Sequence, residues 1–244
     1  MKATMKAWHI LLIIGLAGVA SLLLVPVEQL APGQQLSFQI RLLMLIQPAM
    51  LTVAAVAIGQ ALAGKVGLGA PLIHTLVQGS SMRAVLQRQA MPALLAGLAI
   101  GLLMITYSAA VLPAVTDAST RAMMVAFPVP LTTRILYGGI TEEILTRWGL
   151  MSFFAWVLWR ITGRGRAGPA LMWTAILLAA ALFAAGHLPL LFAIATDPQR
   201  LLIAAILLAN FIPGLLFGWL FWRRGLEAAM LSHAFAHGVN ALAS

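Results

Sequence analysis

Cysteine is missing from all 244 residues, which excludes disulfides and thiolate metal sites. Charge is scarce too: Asp, Glu, Lys and Arg together make up 9% of the chain, and the acidic residues number six. A chain that is 62% hydrophobic with so few charges has no surface to offer water, so a soluble globule is excluded. The ten-residue apolar/polar alternation of a transmembrane barrel is absent, as are internal repeats and linkers. The net charge of +9 does not indicate a nucleic-acid partner, because Lys and Arg are scattered through short segments and form no basic face interleaved with aromatics. Arg far outnumbers Lys and Ala is abundant, a composition that points to a bacterial source, and hence to the cytoplasmic (inner) membrane.

What the chain does contain is long apolar runs, with a mean hydropathy of +0.99. Runs of about 18 to 25 residues suit helices crossing a hydrocarbon core of ~30 Å. The sequence therefore predicts an all-α polytopic transmembrane bundle, a single integral membrane domain over 1–244. Seven spans are expected, at roughly 8–25, 38–62, 92–115, 129–159, 171–195, 200–222 and 226–243. Breaks are expected at Pro26, Pro32-Gly33, Pro113, Pro128/Pro130, the Gly163–Pro169 turn and Asp197-Pro198. The first run, preceded by Lys2 and Lys6, is long for a signal-peptide core and reads as a first transmembrane helix, with a cleaved signal as the alternative.

A cytoplasmic N-terminus puts Lys2, Lys6, Lys65, Arg83, Arg88, Arg160, Arg164, Arg166, Arg223 and Arg224 inside. Arg41, Arg121 and Arg200 are left outside with Glu28, Asp117 and Asp197. This asymmetry satisfies the positive-inside rule and sends the C-terminus outward. Segment 63–91 is too polar to span and too apolar for a free loop, so it reads as a cytoplasmic interfacial helix. The Gly97/Gly101 and Gly214/Gly218 pairs allow neighbouring helices to approach closely. Trp148, Trp156, Trp159, Trp173, Trp219 and Trp222 read as headgroup-belt residues, and His9 and His74 as interfacial ones.

Three later spans carry ionisable groups: Glu142, Glu143 and Arg147, then His187, then His233 and His237. Each charge at bilayer depth costs roughly 2.5 to 3.5 kcal/mol on insertion scales, so such groups need partners and a purpose. Counting about 1.5 Å per residue from the span ends puts Glu142, His187 and His233 at depths of roughly 20, 15 and 12 Å, so that all can meet near mid-membrane. Glu143 and Arg147, at i,i+4, pair on one helix face. Glu142 points about 100° away, free to face a cavity as a general base. His233 and His237 are also i,i+4, with Asn240 on much the same face, and Arg134 and Asn210 are further polar candidates for the cavity wall. Ser232 adjoins His233, and neighbours on a helix point apart, which argues against a serine mechanism.

Glu142-Glu143-Ile-Leu-Thr-Arg147 resembles the EExxxR motif of the CAAX-protease and bacteriocin-processing (CPBP, or Abi) family. Phe183-Ala-Ala-Gly-His187 is similar to its FxxxH motif, and His233-Ala-Phe-Ala-His237 to its HxxxN motif. Order and spacing agree, and the resemblance covers 129–243. It implies a glutamate-dependent intramembrane endopeptidase without a cofactor, acting on a membrane-associated and possibly lipid-anchored peptide or protein. Glu142 and His187 would activate water, His233 would hold the oxyanion, and Glu143 and Arg147 would brace their helix. His237 departs from the family's Asn; its imidazole can donate in that role, or Asn240 can substitute from one turn away. Two alternatives stand beside this reading: a zinc peptidase with His187, His233 and His237 as ligands, and a non-catalytic immunity or scaffold protein on the same fold.

Overall fold

The computed structural model describes residues 6–30, 36–163, 165, 167–195 and 197–243; Lys2, Pro32-Gly33, Arg164 and Arg166 lie outside them. The chain is all-helical, with no strand among the described residues. Five helical stretches are long and apolar enough to cross a membrane, and the chain is an integral membrane protein. They are α1 (Ala7–Leu24), α2 (Phe38–Val66), α4 (Arg83–Val115), the stretch Pro169–Ile194, and α9 (Arg200–Arg224). Two short helices, α3 (Pro71–Val77) and α5 (Ala118–Ala126), lie between them.

The remaining two helices are those the sequence loads with polar groups. α6, over 131–161, carries both mid-span glutamates; α10 (Leu226–Ala241) carries the histidine pair and has only 16 residues. Within α6 the backbone opens into wide π-type turns over Arg134–Thr141 and Ile144–Met151, with Glu142 and Glu143 between them. Such turns concentrate at functional sites.

α6 is clasped from both sides. Against α1, Thr133 Oγ1 donates to the Ser21 carbonyl and Thr141 Oγ1 to that of Gly15, each at 2.8 Å. Leu11 of α1 is fully buried in the bundle. On another side α10 packs along α4 and α6. A Cβ on Gly97 would lie 2.6 Å from the Ser232 carbonyl, and one on Gly101 2.5 Å from Val239, so these two glycines bring α4 and α10 into backbone contact as expected.

Two expectations need correction. Segment 63–91 is not one interfacial helix: α3 ends at Val77, and Arg83 already begins α4, which continues through Pro92. The two arginines are the polar foot of a span, which a hydropathy window reads as an end. Trp148 is also no belt residue. It is 3% exposed, lies against Gly59 and meets Phe221 edge-on at 6.4 Å. Trp173, 41% exposed, suits the belt.

Candidate active site

The expected span over 171–195 is interrupted where it matters. α7 (Pro169–Ala185) stops at Gly186-His187, and α8 (Leu188–Ile194) starts beyond it, so His187 sits at a turn inside the bundle. Its Nδ1 lies 2.9 Å from the Phe183 carbonyl oxygen. A carbonyl only accepts, so Nδ1 carries a proton, and the ring when neutral presents its Nε2 lone pair. The Phe183 ring abuts it edge-on at 4.8 Å.

Glu143 is fully buried and has two partners. Its Oε2 lies 3.2 Å from Arg147 Nε as an ion pair, off the line for a hydrogen bond. Its Oε1 accepts from His233 Nδ1 at 2.8 Å. The first contact was expected from the i,i+4 spacing; the second joins residues 90 positions apart and was not. Arg147, 2% exposed, also donates through Nη2 to the Gly214 carbonyl at 3.0 Å and through Nη1 to Thr146 Oγ1, with Phe183 and Phe217 rings at 5.1 and 5.5 Å from its guanidinium. Carboxylate, carbonyl and two aromatic faces offset a burial that an isolated cation would not survive. This network ties α6, α7, α9 and α10 together.

His233 is held between rings: Phe217 stacks on it at 4.6 Å and His237 at 4.9 Å. With Nδ1–H given to Glu143, its Nε2 accepts a hydrogen bond when the ring is neutral and donates one when the ring takes a second proton. His237 Nδ1 is buried without a partner, and its Nε2 faces Gly138, where a Cβ would come within 2.9 Å. Glycine at 138 is thus what leaves room for that imidazole.

These groups share one cavity of about 550 Å³. Glu142, His187, His233 and His237 line it, together with Arg134, Tyr137, Asn210, Phe183 and Phe217. Glu142 is half-buried and makes no ion pair among the described residues, in contrast to its neighbour. Arg134 and Asn210 are on the wall as expected. Asn240 is not on it, nor is Ser232, whose buried Oγ has no partner. Tyr137 was missed; it precedes Glu142 by five positions, a spacing that faces the same way only in a π-type turn. The His9 ring lies tilted against Trp8, and neither it nor His74 lines the cavity.

For zinc the donors are arranged unfavourably. The His233 and His237 rings stack at 26° side by side, His233 Nδ1 is committed to Glu143, and among the described residues no three His, Asp or Glu side chains are placed to share an ion.

Comparison with curated proteins and with solved structures gave no match in either case. Residues 124–239 match a family model described as type II CAAX prenyl endopeptidase Rce1-like. That segment is similar to the Rce1-like family and holds every group of the ionic network together with Glu142, His187, His233 and His237 of the cavity.

Proposed function

We propose that this protein is an intramembrane endopeptidase that hydrolyses a peptide bond of a membrane-associated substrate. The observation that carries the reading is the meeting of Glu142, His187, His233 and His237 at one cavity, while Glu143 is taken up by Arg147 and His233. A family of endopeptidases supports the reaction class.

Glu142, the carboxylate without a cation, takes a proton from water as the water oxygen bonds to the peptide carbonyl carbon. His187, held with Nδ1–H on Phe183, accepts a hydrogen bond from that water through Nε2 and orients it. The oxyanion lies against His233, whose Nε2–H donates when the ring carries its second proton, with the Glu143 carboxylate behind it on Nδ1. His237 adds a donor through Nε2–H, the role the family pattern gives to Asn. When the C–N bond breaks, the proton on Glu142 passes to the leaving nitrogen, so hydroxide ends on the acyl carbon and hydrogen on the amine. No metal ion is needed for these steps. A bacterial cytoplasmic membrane is the setting that the composition favours.

The second reading, an immunity or scaffold protein on the same fold, is favoured by one observation: His237 stands where the family has Asn. Comparison of peptide termini across the membrane proteome of cells expressing wild type or Glu142→Gln separates the two. Loss of a general base lowers turnover by roughly 10²- to 10⁴-fold, so termini that appear with wild type and vanish with the variant are expected. Identical sets of termini from equally expressed proteins leave the scaffold reading.

A further inference from the structure

Arg134 sits on the same helix as Glu142, eight positions earlier, and lines the same cavity. Among the described residues its buried Nε has no hydrogen-bond partner and its guanidinium makes no ion pair. Other arginines in the bundle are provided for. Arg147 has Glu143 and the Gly214 carbonyl, Arg41 has Glu28 and the Leu23 and Val25 carbonyls, and Arg121 has the Pro113 and Thr116 carbonyls. A permanently charged fork of five N–H donors that lines the cavity and pairs with no carboxylate among the described residues matches a planar two-oxygen acceptor.

Eight residues of helix separate Arg134 from Glu142, about 12 Å at the α-helical rise and somewhat less through the π-type turns of Arg134–Thr141. An extended peptide covers that distance in roughly three to four residues, at ~3.3–3.6 Å each. We infer that Arg134 is a specificity residue that binds a carboxylate of the substrate peptide, three or four residues from the bond cleaved at Glu142. The inference rests on the peptidase reading above. The carboxylate has two sources, a free C-terminus or an acidic side chain. A lipid phosphate is disfavoured, because the guanidinium faces the cavity that has to receive the peptide.

The test uses the full-length protein in detergent, with Glu142→Gln to prevent turnover and three N-palmitoylated randomised octapeptide pools. One pool has a free C-terminus and no Asp or Glu, one is C-terminally amidated with Asp and Glu included, and one is amidated and lacks both. Capture of one carboxylate-bearing pool about tenfold or more above the third is expected, as for a hydrogen-bonded charge pair. The preferred pool names the source. Adding Arg134→Gln brings the preference to one, and Arg134→Lys, which keeps the charge and loses the fork, restores part of it. Equal capture of all pools, including none, overturns the inference. So does a preference that survives Arg134→Gln, or displacement of the pools by phosphatidylglycerol in an Arg134-dependent manner. If the preference is present but the protein with Glu142 intact leaves the preferred pool uncut, the peptidase reading fails and the carboxylate site stands.

Discussion

Two carboxylates are secured along helix α10, one at its middle and one at its start, by different means. Glu143, at mid-bundle, is set against Arg147 and the His233 ring. Glu227, in the first turn of α10, accepts from the Ile73 N–H at 2.8 Å and from Gln89 Nε2 at 3.1 Å, and among the described residues it makes no ion pair. Ile73 is the third residue of α3, one of the helix-start N–H groups that no intrahelical carbonyl can reach, so Glu227 caps one helix from another. Gln89 donates also to the Arg224 carbonyl, and Leu226 N–H to that of Gly69, which completes a staple at the foot of α10. The difference is instructive. A carboxylate held by neutral dipoles fixes position, while one held by an imidazole also biases the proton on a ring that faces the cavity.

The contrast breaks most visibly at Glu143. Glu143→Leu leaves the Arg147 charge buried and unpaired, at a cost of about 3–5 kcal/mol, read as a large fall in thermal stability in detergent. The double variant with Arg147→Met recovers much of that loss, and equal losses for single and double variants would refute the pairing. A smaller effect is expected at Glu227. Glu227→Gln keeps an acceptor oxygen and forfeits about 1–2 kcal/mol, seen as a modest drop in melting temperature, while any peptide cleavage measured with wild type persists. Abolished cleavage by a folded Glu227→Gln protein would erase the distinction between anchor and chemistry.

The smallest effect belongs outside the bundle. Asp117 caps α5, accepting from the Thr120 N–H at 2.8 Å, and hydrogen bonds from Ser119 and Thr120 hold its carboxyl below the usual range. A carboxyl lowered on folding stabilises fully above its unfolded value of about 4 and loses that contribution as pH falls toward the folded value. Asp117→Ala should therefore flatten part of the decline in stability below about pH 4, measured by melting at stepped pH. An unchanged acid limb would remove the cap from the account.

Sequence spacing revealed what lies along one helix. Glu143 with Arg147 and His233 with His237 are each four apart, and both pairs meet in space. It was silent on how helices face one another, which is why the Glu143–His233 contact was missed. Asn240 was a sound candidate by angle alone, yet one more turn carries it past the cavity. The π-type turns that bring Tyr137 into line leave no periodic trace, because they alter the period on which the reading depends. Trp148 was misjudged since only its contact with Gly59 across the bundle decides that an indole is enclosed.

The double engagement of Glu143 has a consequence for how such a protein can change over generations. The residue that governs the proton on His233 also holds an arginine and four helices in place, so variation there is punished by misfolding before any altered chemistry can be selected. Glu142, His187 and His237 bear no such duty toward other helices. Position 237, where this chain departs from the motif it resembles, is one of these freer positions, and an imidazole could be accommodated there while the scaffold around it stayed closed to revision.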